Sequence, residues 1–182
     1  MQNIFDKATL RQQLLAQRQR LAPEVRADFD AAIEQQILKW WQAARPLRMA
    51  VFWPMRGEPD LRRLYTELAA AGAALALPAV VEKNAGLVFR AWEPGDRLER
   101  DALEVVAPAA AAETVRPDAV LIPCVGFNSR KQRLGYGGGY YDRTLAMTPR
   151  PFTIGIAYAS SACEFEGDAH DIALDRIVTE QA

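Results

Sequence analysis

The stretch Asp118-Ala-Val-Leu-Ile-Pro-Cys-Val125, followed shortly by Arg133-Leu-Gly-Tyr-Gly-Gly-Gly-Tyr-Tyr-Asp-Arg143, decides how this chain folds. The first run is short, apolar and uninterrupted by charge after Asp118, the pattern of a strand buried on both faces. The second packs glycines at positions 135, 137, 138 and 139 into a loop. A helix is expected to begin near Gly139 and to run to Met147. Strand, loop and helix in this order form the unit of a parallel sheet, and such sheets bind ligands outside the carboxyl ends of their strands. Glycines let backbone N–H groups approach an anion without Cβ obstruction, and a helix N-terminus adds partial positive charge. Arg133 can add a two-pronged grip on phosphate oxygens. The competing reading is a tight turn whose glycines only satisfy backbone geometry. The flanking arginine and the position between strand and helix favour a phosphate cradle. It is neither a Walker A loop, lacking the Gly-Lys-Ser/Thr ending, nor the dinucleotide fingerprint.

Working outward, the same alternation of elements continues. Asp6 is placed to cap a helix reaching Leu21, with Leu10, Leu14 and Leu21 on one stripe. Pro23 opens a second amphipathic helix through Val25, Phe29, Ile33, Ile37 and Trp40 to Ala44. Strands are expected over Arg48–Trp53, Ala74–Val80, Gly86–Trp92, Phe152–Tyr158 and Asp175–Thr179. Asp60 is expected to cap a helix over Leu61–Ala71 that stops at Gly72. Glu93–Pro117, mixing charge, proline and an alanine run, reads as loop with a short strand around Glu104–Ala107. No repeat or linker divides the chain, so residues 1–182 read as one α/β domain, a layered sandwich whose mostly parallel sheet is flanked by helices.

Composition narrows the chemistry. Lys plus Arg number 22 against 23 Asp plus Glu, so no overall field favours nucleic acid or a membrane, and any anion site is a local device. Cys124 and Cys163 fit no metal spacing and no disulfide framework, which suits a reducing compartment. His170, the only histidine, rules out a histidine-rich metal centre. No run approaches the roughly 18 apolar residues that span a bilayer. The first twenty residues lack the apolar core of a signal peptide. Basic and amphipathic, they could be read as a mitochondrial presequence, but they also make a useful helix of the fold. A cytoplasmic monomer acting on small molecules is expected.

Single residues each carry two readings. Asp142, in the first turn of the helix after the loop, is either a carboxylate favoured by the helix dipole or an oxygen ligand for Mg²⁺ on nucleotide phosphates. Asp175 is ambiguous in the same way. Lys7, Arg11 and Arg18 fall within about 40° of one another on a 3.6-residue wheel. Such a stripe is ordinarily a solvated face; alternatively it reaches the same phosphates. Trp53 and Met55 suit a core, whereas Glu58, in a loop between Gly57 and Pro59, is harder to explain by packing. Tyr140 and Tyr141 could stack on a flat ligand, with one of them burying its ring against the sheet.

The segment Pro123 to Arg143, with Pro-Cys-Val-Gly-Phe-Asn leading into Arg-Leu-Gly-Tyr-Gly-Gly-Gly-Tyr-Tyr-Asp-Arg, resembles the signature of 5-formyltetrahydrofolate cyclo-ligases. The likeness extends over nearly the whole chain, through Lys7 and Arg11, the Trp53–Glu58 segment, His170-Asp171 and Leu174-Asp175. The resemblance implies a compact α/β sandwich related to the sugar-phosphate isomerase and CoA-transferase group, with ATP as co-substrate and Mg²⁺. Lys7 and Arg11 match residues that hold ATP phosphates, and Arg133, Leu134, Gly135, Tyr136, Gly137, Gly138, Gly139, Tyr140 and Tyr141 match the nucleotide loop. Part of that loop, including Tyr140, also borders the folate, and Trp53 and Glu58 match positions lining the folate pocket. Asp142 and Asp175 match the magnesium-associated carboxylates. Arg133 and Lys7 are the expected catalytic cations. This chain departs from the family pattern at Asn128, where Asp is frequent, at Lys131, where Gly is common, and at Gly138, where some members carry Lys. The last departure leaves Arg133 and Lys7 more heavily relied on.

The resemblance implies ATP-dependent closure of 5-formyltetrahydrofolate to 5,10-methenyltetrahydrofolate through a phosphorylated formyl group. Two other classes stay open at this level: a sugar-phosphate isomerase that needs no ATP, and a non-catalytic module binding nucleotide or folate.

Overall fold

The computed structural model describes residues 6–101 and 105–181. Helix α1 (Lys7–Gln19) starts where the sequence signals it: the Asp6 carboxylate accepts from the N–H groups of Ala8 and Thr9 at 2.8 and 3.0 Å. Helix α2 (Pro23–Ala44) opens on proline, whose missing N–H costs nothing at a first helical position, and ends at Arg45 in the left-handed region. Strand β1 (Arg48–Ala50) then enters the core. It is shorter than expected; Val51 still donates to Ala76 O at 2.9 Å before Pro54, which has no N–H, closes the run. Helix α3 (Arg62–Ala70) is capped differently from the expectation. Leu61 occupies the cap position, and Asp60, one residue further out, accepts from Arg62 N at 3.2 Å. Gly72, at φ +92°, turns the chain so that Ala73 N–H returns to Leu68 O at 2.9 Å.

Strands β2 (Ala74–Ala79) and β3 (Val88–Ala91) follow. Next come β4 (Leu98–Arg100), β5 (Val106–Pro108) and β6 (Thr114–Val115), all inside the stretch whose composition reads mostly as loop. Of the strand expected around 104–107, β5 is the described part, and Glu104 lies outside the described residues. After β7 (Ala119–Pro123) the chain forms a small antiparallel ribbon, β8 (Gly126–Phe127) with β9 (Arg133–Leu134). Helix α4 (Tyr140–Leu145), β10 (Phe152–Ile156), a single 3₁₀ turn at Ala159–Ser161 and β11 (Arg176–Val178) complete the order.

Seven strands make the central sheet in the order β11-β10-β7-β1-β2-β3-β6. The five from β11 to β2 are parallel; β3 pairs antiparallel with β2, and β6 antiparallel with β3, so the mostly parallel sheet expected from sequence is present. Both faces are covered, with side chains alternating between them. Met49, Leu75, Leu77, Leu121, Ile154 and Ile156 face α2 and α3, meeting Ile33, Ile37, Trp41, Leu64 and Leu68. Ala50, Ala76, Val120 and Ile122 face the other way, toward Leu145 of α4 and Leu174. Fully buried aliphatics such as Ile33 and Ile37 contribute about 1.5–3 kcal/mol each by leaving water. A third cluster, Leu10, Leu14, Val125, Leu134 and Phe165, pins α1 against the β8–β9 ribbon. That packing brings the cationic stripe of α1 beside the glycine loop.

Among the described residues, no helix is long and apolar enough to cross a membrane.

Candidate active site

The chain enters the sheet at β1, moves to β2 on one side and later to β7 on the other. The carboxyl ends of β1 and β7 therefore face loops that depart in opposite directions, the place where open parallel sheets hold ligands. A cavity of about 1410 Å³ opens there. Its wall takes Phe52 to Glu58 from the loop after β1, residues 133–143 from the glycine loop and α4, Lys7 and Arg11 from α1, and residues 168–172. Pro78, Val80, Leu87, Val105 and Val106 give it an apolar flank. None of these residues carries a chemical signal in the sequence.

The glycine loop joins β9 to α4. Gly137 sits at φ +97°, a conformation that L side chains rarely adopt. Among the described residues, none of the backbone N–H groups from Gly135 to Gly139 donates to another protein group. Helix α4 has only six residues and starts from Gly139 in the left-handed region, so the loop amides outweigh any dipole of the helix.

The cations are arranged differently from the expectation. Arg133, 9% exposed, closes its fork on Asp142, Nη1 to Oδ1 at 2.8 Å and Nη2 to Oδ2 at 2.9 Å. The grip foreseen for phosphate is thus made on a carboxylate of the same chain. Lys7 Nζ lies 2.7 Å from Asp168 and 2.6 Å from Asp171. Burial pushes the Asp171 carboxyl up, but the Lys7 ammonium and the Asp168 N–H outweigh it and hold the group below the usual carboxylate range. Arg11 Nε donates to Gly135 O at 2.8 Å, bracing the loop from α1. Asp168 and Asp171 were not singled out as ligands from sequence; the only signal was the place of Asp171 in the closing His170-Asp171 pair.

Glu58, read from sequence as a loop carboxylate, is 4% exposed. Its Oε1 accepts from the Tyr136 hydroxyl at 2.7 Å and its Oε2 from Met55 N at 3.0 Å. Burial raises its carboxyl above the ordinary range in spite of those donors and the Arg18 and Arg56 charges. Trp53 stands beside it on the cavity wall, edge-on to Trp92 with ring centroids 6.0 Å apart. Tyr141 buries its ring against the sheet-side cluster, as one of the tyrosine pair was expected to do, while Tyr140 lies under the Arg143 guanidinium.

The departures at Asn128 and Lys131 now have physical accounts. Asn128 is 4% exposed; its Oδ1 accepts from Arg130 N and Gln132 N, and its Nδ2 reaches Phe165 O. Lys131 adopts φ +59°, the region glycine occupies without strain and other residues enter at a cost of about 1 kcal/mol.

As to a metal, no group of three or more candidate ligands gathers among the described residues. Magnesium is usually held by one or two carboxylates together with substrate phosphates and water. Asp142 and Asp171 on the cavity wall fit that mode, as donors to an ion arriving with a nucleotide. Asp175 does not. It is absent from the cavity lining, and its carboxylate accepts from Thr153 N and Oγ1 at 2.8 Å each and pairs with Arg150. These bonds fix the entry to β11 against β10, the structural one of the two readings its sequence position allows.

With this geometry in hand, likeness to known proteins becomes informative. The model of the 5-formyltetrahydrofolate cyclo-ligase family matches residues 3–180. The chain belongs to this family. The cyclo-ligase of Escherichia coli K12 is 30% identical over 175 residues, covering 91% of this chain and 96% of that protein. That of Mycoplasma pneumoniae is 28% identical over 97% of this chain and all of its own. Two solved structures, both 5,10-methenyltetrahydrofolate synthetases, superpose with a TM-score of 0.82. The one from Mycoplasma pneumoniae is 27% identical and covers 97% of this chain and 100% of its own. The one from Aquifex aeolicus is 29% identical and covers 97% and 90%. As a cyclo-ligase family member, the chain is an enzyme of the ligase class.

Proposed function

We propose that this cyclo-ligase uses ATP to convert 5-formyltetrahydrofolate into 5,10-methenyltetrahydrofolate, releasing ADP and phosphate. The observation that carries the reading is one cavity whose wall combines two unlike sets of groups. Lys7, Arg11, Arg133 and the glycine loop form one set, and apolar side chains with the buried Glu58 form the other. A nucleotide triphosphate suits the first and a flat heterocycle bearing N–H donors suits the second.

The formyl oxygen is a poor leaving group and must be activated before the ring can close. It attacks the γ-phosphorus of ATP, the bond from that phosphorus to the β,γ-bridging oxygen breaks, and ADP leaves. The N10 amine then adds to the phosphorylated formyl carbon and loses its proton. Cleavage of the carbon–oxygen bond releases phosphate and leaves the methenyl bridge. The protein's work is alignment of oxygen with phosphorus and balancing of charge. The amides of Gly135–Gly139, Lys7 and Arg11 do this at the phosphates, in a pocket where preorganised donors act more strongly than in water, while Arg133, its fork closed on Asp142, holds that carboxylate in place. Glu58 accepts the pterin N–H donors, with Trp53 and Tyr140 as walls. Asp142 is the residue that would hold a magnesium ion accompanying the nucleotide, and such an ion would add charge neutralisation on the phosphates.

The test is the absorbance of the methenyl product with purified protein, 5-formyltetrahydrofolate and MgATP. Product should form only when all are present. Formation without ATP, or none with the full set, overturns the proposal. Substrate carrying ¹⁸O in the formyl group should deliver that label to the released phosphate; unlabelled phosphate would rule out the phosphorylated intermediate.

A further inference from the structure

Arg18 is 3% exposed, and among the described residues no carboxylate lies within ion-pair distance of it. Burying a guanidinium is costly unless its donors are satisfied. Here Nη2 donates to the Tyr136 hydroxyl at 2.7 Å, Nε to Arg56 O at 3.2 Å and Nη1 to Cys124 O at 3.5 Å. Arginine has donors and no acceptor, so the Tyr136 oxygen must accept from it. The single phenolic proton is then committed to Glu58 Oε1 at 2.7 Å. With Oε2 held by Met55 N–H at 3.0 Å, the plane of the Glu58 carboxylate is fixed and its remaining lone pairs are left for a ligand in the cavity.

We infer that Arg18 and Tyr136 are positioning residues for the folate end of the site, acting as a one-directional hydrogen-bond relay that holds Glu58 as an oriented acceptor for the substrate's N–H donors. This rests on the proposed folate-binding role of Glu58. Arg18 is not part of the cavity wall; it acts through Tyr136 and through its charge beside Glu58. Because Tyr136 belongs to the glycine loop, the relay also ties the folate end to the segment that receives the nucleotide.

The relay makes the pH dependence of substrate binding diagnostic. Tyr65 from α3, Tyr136 from the glycine loop, Tyr141 from α4 and Cys124 after β7 face Glu58 together with Arg18 and Arg56. Burial pushes all three phenols up and the Cys124 thiol to about 12, so none of them changes charge in the acid range. The part of an acid loss of binding that Glu58→Gln abolishes therefore reports Glu58. Removing the Tyr136 hydroxyl or the Arg18 charge takes away influences that hold the Glu58 carboxyl down, and the acid limb moves to higher pH.

The experiment measures binding of 5-formyltetrahydrofolate without nucleotide across the acid range, for the parent, Tyr136→Phe, Arg18→Met and Glu58→Gln. Tyr136→Phe and Arg18→Met should displace the limb upward and weaken binding about tenfold at a pH within it, the size of one hydrogen bond to a charged group. An acid limb unmoved in folded Tyr136→Phe and Arg18→Met, yet abolished by Glu58→Gln, overturns this inference alone. A parent that binds no folate, or a Glu58→Gln variant that binds like the parent, overturns the underlying reading of Glu58. Should Arg18→Met fail to fold, Tyr136→Phe carries the test, since it removes one oxygen and keeps the ring.

Discussion

Replacing Asp171 with asparagine removes a negative charge while preserving the side chain's shape and its acceptance of Asp168 N–H at 2.9 Å. The charge matters because Lys7, which the proposed reaction assigns to phosphate, is held between Asp168 and Asp171 at 2.7 and 2.6 Å. The two partners are unequal: the Asp168 side chain is 74% exposed and that of Asp171 17%. Solvent screens the first pair almost completely, so most of the restraint on Lys7 comes from Asp171. A partly exposed pair of this kind stabilises by about 1 kcal/mol, and an arriving phosphate must replace it or share it. Withdrawing the charge should therefore tighten ADP binding about fivefold in the absence of metal, the factor equivalent to that energy. Isothermal titration of ADP in the presence of a chelator measures this directly, and raising the salt concentration should shrink the gain. The same pair makes the fold pH-sensitive. Asp171 is held below the usual carboxylate range, so its contribution is present above that range and is lost as pH falls through its lowered value. Equal or weaker metal-free binding of ADP by folded Asp171→Asn would show that Lys7 does not exchange its carboxylates for phosphate.

Other predictions bear on the loop and the core. Arg133→Lys keeps a positive charge but cannot span both oxygens of Asp142, and turnover should fall at least tenfold, about 1.4 kcal/mol of transition-state stabilisation; unchanged turnover would remove Arg133 from the mechanism. Gly155→Ala places a Cβ 2.6 Å from Ile177 Cδ1, 2.7 Å from Leu174 Cδ1 and 3.1 Å from Cys124 Sγ, and overpacking of this kind costs about 1–3 kcal/mol. A thermal melt lowered by several degrees is expected, and an unshifted melt would mean that those side chains repack freely.

How far the sequence carried depended on the length of the signal. Ala119–Pro123, Ala74–Ala79 and the two N-terminal helices are long enough for their apolar period to show, and all lie where that period puts them. Strands β4, β5 and β6 have two or three residues each, too few for any period, and their pairing rather than their composition makes them strands. Site residues divide in the same way. The glycine loop is contiguous and was legible. Glu58 takes its character from Tyr136, 78 positions away, and Lys7 from carboxylates 161 and 164 positions away. Asp142 and Asp175 look equivalent in sequence, yet one is clamped by Arg133 on the cavity wall and the other caps Thr153 outside it.

The stripe on α1 shows why a helix face that ordinarily meets solvent does not do so here. Leu10 and Leu14 seat α1 on the β8–β9 ribbon, and that contact turns the adjacent stripe toward the cavity. Lys7, Arg11 and Arg18 are separated by four and seven residues, so at 1.5 Å per residue they stand about 6 and 10 Å apart along the axis. Each therefore meets a different station of the site: Lys7 the 168–171 segment, Arg11 the Gly135 carbonyl, Arg18 the Tyr136–Glu58 pair. One rigid element thus carries all three contacts. A displacement of α1 along its axis would misplace all three contacts at once, whereas loops carrying the same cations could adjust independently. The in-line approach of two substrates needs them held at a fixed separation, and a helix is the element whose length least depends on what is bound.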